Sequence, residues 1–198
     1  MAEAAGGSGP PRDSSEFPHI TVPSGLRWFR LRRSTNGFAW FGNRTVFRFD
    51  PPSSHAARFG TCYFATEPIG AFIETMLGMG DPTQSEVDER RITSCEVKGV
   101  LRLANLTSPL VLGYRVDASF SASSGGDYAH SQDLAATLFD ASFDGIWYAL
   151  RHDPAHDLIG MALFGRQGRR TKRALLTSRP GRSLRRCWLR RRTASVSG

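Results

Sequence analysis

Four charged or aromatic side chains stand in apolar segments and could form one site. Arg30 lies in the stretch LRWFRL, and Arg48 lies between two phenylalanines in VFRFDPP. Tyr63 is the central residue of TCYFA, and Glu74 follows in EPIGAFIETMLGM. Guanidinium groups bind anions, a carboxylate stabilises nearby positive charge, and a phenol ring packs on planar groups. The ordinary alternative is that each side chain faces solvent or the edge of a core, so residue types alone leave a shared site open.

Motifs for other common chemistries are absent from the sequence. The chain contains no phosphate-binding P-loop, no GxGxxG dinucleotide motif and no nucleophile elbow. His152 and His156 have the i, i+4 spacing of a helical metal pair, but Pro154 between them disfavours a helix. The three cysteines are too scattered for a disulfide framework or a zinc site. We therefore expect no metal cofactor and a reducing, cytoplasmic location.

The elements that must position the four side chains are predicted from apolar periodicity and turn residues. Strands are expected at residues 26–31, 46–52, 61–65, 92–99, 100–106, 143–150 and 157–165, and helices at 67–79 and 130–141. Strands and helices do not alternate regularly, which favours an α+β fold over a doubly wound sheet. Residues 117–129 are mostly small and are expected to form a flexible loop.

The expected helix at 67–79 carries Glu74 on its polar side. Apolar residues repeat at the spacing of one buried helical face, at Ile69, Phe72, Ile73, Met76 and Leu77. At 100° per residue, Glu74 falls about 130° from the centre of that stripe. The sequence therefore places this carboxylate away from the face that packs on the sheet.

The positive charge of the chain is concentrated near its C-terminal end. The 198 residues include 26 lysines and arginines and 18 aspartates and glutamates, for a formal net charge of +8. Twelve of the basic residues and none of the acidic ones lie at or after Arg166, so residues 1–165 carry a net charge of −4. A basic nucleic-acid-binding fold is therefore not expected for that part of the chain.

Composition divides the chain into three parts. Residues 1–25 are rich in Gly, Ser, Pro and Ala and are predicted to be a disordered leader. Residues 26–166 form the expected single domain, and residues 167–198 form an arginine-rich tail that is also predicted to be disordered. The tail has two interpretations, a solvated extension or a segment that contacts nucleic acid. No apolar run reaches the roughly 20 residues of a membrane helix, and no secretory signal pattern is present, so no membrane partner is expected.

Several short segments between residues 26 and 166 occur together in a recognisable order. They are WFR ending at Arg30, Arg48-Phe49-Asp50-Pro51, Tyr63-Phe64-Ala65, Ala71 with Glu74, GDYAHSQDLA (126–135), DGIWYALRHDPAH (144–156) and IGMALFG (159–165). In these segments the chain resembles the RES-domain family, which is named for Arg, Glu and Ser positions. Members of this family are NAD-degrading toxins of bacterial toxin–antitoxin pairs.

The resemblance implies a fold similar to the ADP-ribosyltransferases of the diphtheria-toxin group and a reaction on NAD as substrate. Cleavage of the bond between ribose and nicotinamide passes through a transition state like an oxocarbenium ion. By this resemblance Glu74 would stabilise that charge, and Arg48 and Arg30 would bind the pyrophosphate. Tyr63 would stack on nicotinamide, and Tyr128 at the end of the flexible loop would add a further contact.

The resemblance does not decide which molecule accepts the ADP-ribose. Water or phosphate could take the ADP-ribose, and transfer to a protein target is the alternative reaction. The family implies a cytoplasmic toxin that is held in check by an antitoxin with a helix-turn-helix domain, in an oligomer with that antitoxin.

The chain departs from the family pattern at three places. The serine expected after the Asp-Gly-Ile segment is Leu150, and the arginine expected there is Trp147. The glycine expected before the Arg-Phe segment is replaced by Val46 and Phe47. Because leucine cannot donate a hydroxyl hydrogen bond, a further alternative is a catalytically weakened RES-like protein whose arginine-rich tail binds nucleic acid.

Overall fold

In the computed structural model, eight strands form one mixed sheet with helices packed on it. The structure describes residues 13–33, 39–76, 82–114, 116, 128–153, 155, 157–168 and 176–179. The strands are β1 (His19–Val22), β2 (Arg27–Arg33), β3 (Gly60–Ala65), β4 (Arg90–Val97), β5 (Leu101–Asn105), β6 (Gly145–Ala149), β7 (Ile159–Gly165) and β8 (Leu176–Arg179). The α-helices are α1 (Pro68–Met76), α2 (Gln84–Asp88) and α3 (Ala129–Asp140), and short 3₁₀ helices form at Ser14–Glu16, Ser53–His55 and Pro109–Tyr114. The expected α+β class is confirmed.

The order of strands across the sheet is β1-β5-β6-β7-β3-β2-β4-β8. Neighbouring strands are antiparallel except for β5 and β6, which are parallel. Strands β3 and β7 lie at the centre and pair over six residues, from Gly60 opposite Gly165 to Ala65 opposite Gly160. None of the helices in the described part of the chain is long and apolar enough to cross a membrane.

The sheet must curl because of the way in which β4 and β5 are connected. Only residues 98–100 join these two strands, although β2, β3, β7 and β6 lie between them in the sheet. In a flat sheet β4 and β5 would lie about 24 Å apart at the usual strand spacing. A connection of three residues spans about 14 Å at most. The two ends of the sheet therefore turn towards each other, which gives the sheet an inner and an outer face.

Side chains alternate between these two faces along each strand. The inner face carries one apolar core, which includes Trp28, Cys62, Phe64, Leu103, Met161 and Leu163. The outer face carries a second core that α3 covers, which includes Ile146, Tyr148, Ala162 and Phe164 from the strands and Ala135 and Leu138 from the helix. Helix α1 packs beside it on the outer face, where Ala71 and Met76 join Leu31, Ala65 and Ile92 in a third cluster.

The N-terminal region is folded from residue 13, so the prediction of a disordered leader over residues 1–25 is wrong for residues 13–25. Strand β1 pairs with β5 along its whole length. Phe17 is 1% exposed, and its ring centroid lies 4.8 Å from that of Tyr114. Val22 is also buried, in the inner core, so these two apolar residues anchor a segment whose other residues are mostly small or polar. Residues 1–12 lie outside the described part of the chain.

Residues beyond 166 also contribute to the sheet. Strand β8 pairs antiparallel with β4, and the Gly168 N–H donates to the carbonyl of Phe41 at 3.1 Å. The prediction of a disordered tail over 167–198 is therefore wrong at 167–168 and 176–179, while residues 169–175 and 180–198 lie outside the described part. Backbone pairing with an edge strand does not require the apolar alternation that sequence reasoning looked for.

One predicted strand is not found. Residues 46–52 form turns and not a strand. The polar segment after α1 contains the short helix α2, which begins with a capping box between Thr83 and Glu86. The other predicted strands and both predicted helices are found with shifted ends.

We expect the replacement of Phe17 by alanine to lower the free energy of unfolding by about 3–5 kcal/mol, because it empties a closed part of the outer core. Chemical denaturation measures this change. The control is Val100→Ala, since the Val100 side chain is 68% exposed. If both variants lose equally little stability, residues 13–25 do not belong to the core.

Candidate functional site

A tight turn at residues 46–50 presents Arg48 on the outer face. The carboxylate of Asp50 accepts hydrogen bonds from the backbone N–H groups of Val46 at 3.2 Å and Phe47 at 3.0 Å. The Asp50 N–H donates in turn to the carbonyl of Phe47 at 3.1 Å. Short polar side chains that bond to nearby backbone compete with extended structure. This closure is the reason why the alternating Phe-Arg-Phe segment does not form the predicted strand.

Strand β3 fixes this turn to the sheet. The Tyr63 hydroxyl donates to Asp50 Oδ1 at 3.1 Å and accepts from the N–H of Phe49 at 2.9 Å. Thr61, two residues before Tyr63 on the same face, donates from Oγ1 to the carbonyl of Phe49 at 2.7 Å. Asp50 and Thr61 are both almost fully buried. The backbone on either side of Arg48 is therefore held by side chains and not by a sheet ladder.

Helix α3 holds the same turn from the other side. Gln132 is buried, and its Nε2 donates to the carbonyls of Thr45 and Phe47, each at 3.1 Å. Tyr128 is the N-cap residue of α3, and its carbonyl accepts from the Gln132 N–H at 2.9 Å. Tyr128 thus lies one helical turn before the residue that holds the turn, and its contact with substrate stays a prediction. Residues 117–127 of the predicted flexible loop lie outside the described part of the chain.

The guanidinium of Arg48 packs against aromatic rings. Its Cζ lies 4.8 Å from the ring centroid of Phe49 and 5.8 Å from that of Tyr148. Burial lowers the pKa of Arg48, while Tyr148 and the carboxylate of Glu74 oppose this change. Arginine nevertheless stays protonated in proteins. The site therefore holds a half-buried positive charge with a carboxylate near it.

Glu74 lies on the side of α1 that packs on the sheet. One helical turn before it, a Cβ added at Gly70 would lie 2.9 Å from Leu150 Cδ1 and 3.1 Å from the Cβ of Ala65. This close approach needs glycine, and it brings Glu74 Oε1 to 3.1 Å from the Tyr148 hydroxyl, which donates to it. The prediction that Glu74 faces away from the sheet is wrong, since the packed side of the helix is formed by Gly70 and Ala71 together with Met76. Of the other residues in the predicted stripe, Ile69, Phe72 and Ile73 are only half-buried, and Leu77 lies outside the described part.

Two phenol–carboxylate pairs orient the acidic groups of the site. Burial, reinforced by the nearby charge of Asp50, raises the pKa of Tyr63 well above its usual value. Burial, reinforced by Glu74, does the same to the pKa of Tyr148. Both phenols therefore stay protonated at neutral pH, and each donates its hydrogen bond to a carboxylate. Burial also raises the pKa of Asp50, although the hydrogen bonds from Phe47, Tyr63 and Val46 lower it in part.

Arg151 supplies a second positive charge close to Arg48. It lies in the turn that follows β6, two residues beyond the end of the strand, and its charge contributes to the lowered pKa of Arg48. Two neighbouring guanidinium groups repel each other, and an anion bound between them relieves that repulsion. Together with the oriented Glu74 carboxylate, this arrangement can bind a polyanion and stabilise a positive charge that develops beside it.

Arg30 is not brought to this cluster. Its Nη1 donates to Cys62 Sγ at 2.9 Å, and Cys62 belongs to the inner core. Tyr63 is the next residue in β3, so its side chain points to the opposite face. The sheet therefore separates the two guanidinium groups, Arg30 and Arg48, that the sequence prediction places on one pyrophosphate.

Trp147 and Leu150, which depart from the family pattern, pack in different parts of the structure. Trp147 packs against the inner core, on the face of the sheet opposite to Tyr148. Leu150 is fully buried, and a Cβ added at Gly160 would lie 2.5 Å from its Cδ2 and 2.6 Å from Tyr148 Cζ. Gly160 and Gly70 thus provide the space that the leucine fills. Trp147 does not touch the cluster, whereas Leu150 packs beneath the helix that carries Glu74.

The family model described as RES domain matches residues 8–188. The chain belongs to the RES domain family. The matched region extends past both ends of the predicted domain at 26–166, and it includes β1 and β8. Comparison with curated protein sequences gives no match.

The fold of this RES domain is similar to that of a solved toxin–antitoxin structure. A chain of the crystal structure of the M. tuberculosis MbcT–MbcA toxin–antitoxin complex superposes with a TM-score of 0.62 at 15% sequence identity. The match covers 83% of this chain and 86% of that chain. Among the residues that the structure describes, no group of three or more His, Cys, Asp or Glu side chains could hold a metal ion.

Sequence reasoning missed four residues of this site, which are Asp50, Gln132, Tyr148 and Arg151. Asp50 carries a usable signal, because an aspartate directly before two prolines is typical of a turn. Gln132 and Tyr148 lie inside regular elements and show no special spacing to Arg48 or Glu74. Their roles depend on contacts between elements that are far apart in the sequence.

We expect Asp50→Ala to lower the free energy of unfolding by about 2–4 kcal/mol, because the partly buried hydrogen bonds from Val46, Phe47 and Tyr63 lose their buried acceptor. Asp50→Asn keeps an acceptor oxygen in the same place and should lose about half as much. Chemical denaturation at neutral pH measures both changes. Asp133→Asn, at an exposed aspartate of α3, is the matched control. Equal losses for the alanine and asparagine variants would contradict the role of Asp50 as an acceptor.

Proposed function

We propose that this RES domain protein cleaves the bond between nicotinamide and ribose in NAD. The observation that carries the proposal is the carboxylate of Glu74, which Tyr148 orients beside the charge of Arg48. The positions of Arg48, Tyr63 and Glu74 in one cluster support the roles that the family resemblance implies. The hydroxyl that the family serine would supply at position 150 is absent, and the Tyr148 hydroxyl orients the carboxylate in this chain.

The proposed reaction depends on stabilising the positive charge that develops on the ribose, and the leaving group needs no proton from an acid. The bond between ribose and nicotinamide breaks, and its electron pair moves to the ring nitrogen, so that nicotinamide leaves as a neutral molecule. The ribose carbon then carries positive charge as an oxocarbenium-like centre, which the Glu74 carboxylate stabilises. An oxygen of water or phosphate forms the new bond to this carbon and releases its proton to solvent. Transfer of the same group to a protein target is the alternative outcome.

In the proposed complex, Arg48 and Arg151 bind the pyrophosphate and Tyr63 lies beside the nicotinamide ring. Guanidinium groups suit phosphate oxygens because their N–H groups form a planar fork. The hydroxyl of Tyr63 is engaged by Phe49 and Asp50, so only its ring is available to the substrate. Tyr128 is a further candidate at the start of α3. No metal is required for any of these steps.

We expect Glu74→Gln to lower the rate of nicotinamide release by about 100-fold, because the amide has the same shape but no negative charge. Release of nicotinamide from NAD by the purified protein measures this rate. The matched control is Glu89→Gln at an exposed glutamate after α2, which should release nicotinamide at the unmodified rate. A Glu74→Gln protein with full activity would refute the proposed role of this carboxylate. NAD labelled in the ribose identifies the acceptor, as free ADP-ribose, a phosphorylated product or a modified protein.

We further propose that the protein is the toxin of a toxin–antitoxin pair and acts in the cytoplasm. The similarity of its fold to a chain of the MbcT–MbcA complex supports this proposal, together with its membership of the RES domain family. The proposed partner is an antitoxin with a helix-turn-helix domain, which forms an oligomer with this chain. We also propose that the basic residues after Arg166 contact nucleic acid near this complex.

Expression of the protein alone should arrest bacterial growth, and expression of Glu74→Gln should not, since NAD would no longer be consumed. Coexpression with the protein encoded by the adjacent reading frame should restore growth and yield a complex that elutes as one species. Growth arrest that persists with the Glu74→Gln protein would mean that toxicity has another cause. Removal of residues 180–198 tests the contact with nucleic acid. If the affinity of the complex for DNA is the same without this segment, the segment does not bind DNA.

A further inference from the structure

Phe47 is an exposed aromatic residue beside the charged cluster. Its side chain is 61% exposed, more than that of any other phenylalanine in the described residues. Leaving a phenylalanine in water forgoes most of the favourable free energy of its burial. Phe47 also stands directly before Arg48, where the family resemblance expects glycine. A large apolar ring at this position is therefore a feature of this chain that the fold does not require.

The backbone of Phe47 is held in place at both of its polar groups. Its N–H donates to Asp50 Oδ2 at 3.0 Å, and its carbonyl accepts from the Asp50 N–H and from Gln132 Nε2, each at 3.1 Å. Loop residues are in general more mobile than those of helices and strands, whereas here two buried side chains, those of Asp50 and Gln132, hold the backbone. The ring of Phe47 is thus presented from a rigid point and loses little entropy on binding a ligand.

The ring of Phe47 forms a corner with the ring of Tyr63. The two centroids lie 5.9 Å apart, and the planes are inclined by 69°. A planar group that lies on one of these faces meets the edge of the other ring. Tyr63 also lies close enough to the Arg48 guanidinium to interact with its charge, so a group in this corner is near the cation that the proposed function assigns to phosphate.

We infer that the nicotinamide ring of NAD stacks on the aromatic ring of Phe47, and that this contact makes the site bind NAD more tightly than NADH. The inference rests on the proposed function. Oxidised nicotinamide is a planar cation, and an aromatic face attracts a cation that is placed over it. Reduced nicotinamide is neutral and lacks this attraction. Cleavage converts the bound ring into neutral nicotinamide, so the same contact holds the substrate more tightly than the product.

The test compares binding of NAD and NADH to full-length protein in the Glu74→Gln background, in which cleavage of NAD is expected to be slow enough for a binding measurement. Phe47→Ala should weaken binding of NAD by about tenfold and binding of NADH by much less. Phe47→Tyr should retain the preference for NAD, since it keeps an aromatic face. Isothermal titration calorimetry gives the dissociation constants. Leu112→Ala, at a leucine that is 67% exposed on the 3₁₀ helix Pro109–Tyr114, is the matched control and should bind both dinucleotides as the parent does.

Each other result overturns a defined part of the inference. If NAD binds and Phe47→Ala leaves both dissociation constants unchanged, Phe47 does not contact the substrate and the proposed function stands without it. If NAD and NADH weaken equally, Phe47 touches another part of the dinucleotide and the assignment to the nicotinamide ring is wrong. If no variant binds NAD, including the parent, the proposed function fails together with the inference. Because the Phe47 side chain is exposed, equal unfolding free energies of Phe47→Ala and its parent verify that the fold is intact.

Discussion

The hydrogen bonds to the buried carboxylate of Asp50 are the interaction on which the rest of the site depends. They close the turn that presents Arg48, they fix the backbone of Phe47, and they engage the hydroxyl of Tyr63. A buried carboxylate is costly unless several donors surround it, and three donors do so here. The raised pKa of Asp50 indicates that burial still outweighs these donors. The protein thus accepts a local cost to hold the cluster in one arrangement.

Close approach between α1 and the sheet is the second condition for the site. Gly70 lets the helix approach Ala65 and Leu150, and Gly160 leaves space for both Leu150 and the ring of Tyr148. Through this packing, a glutamate on a helix meets a phenol on a strand that lies 74 residues later in the chain. The leucine that replaces the expected serine is part of the same packing. The side chain of Leu150 therefore fills the space at the position of the expected serine, and no cavity is left there.

Much of the fold could be predicted from the sequence, because apolar alternation and turn residues act locally. The central strands β3 and β7 and the helix α3 lie close to their predicted positions for this reason. The segment at 46–50 also alternates, yet a hydrogen-bonded aspartate outweighs that signal. The segment from residue 13 to residue 25 shows the opposite error, since the burial of Phe17 and Val22 and the pairing of β1 with β5 order a segment whose composition is typical of disorder.

The sequence by itself determined the α+β class, the family resemblance and the three residues Arg48, Tyr63 and Glu74, which the structure brings into one cluster. Only the tertiary structure decided which face of the sheet each strand residue occupies relative to the others. Arg30 and Tyr63 both lie in strands, but the pairing of β2 with β3 sends their side chains to opposite faces. The contacts of Arg48 with Tyr148, and of Asp50 with Tyr63, join elements that no local pattern connects. The geometry of these contacts depends on the order of the strands and on the curl of the sheet. Neither can be read from the spacing of residues along one sequence.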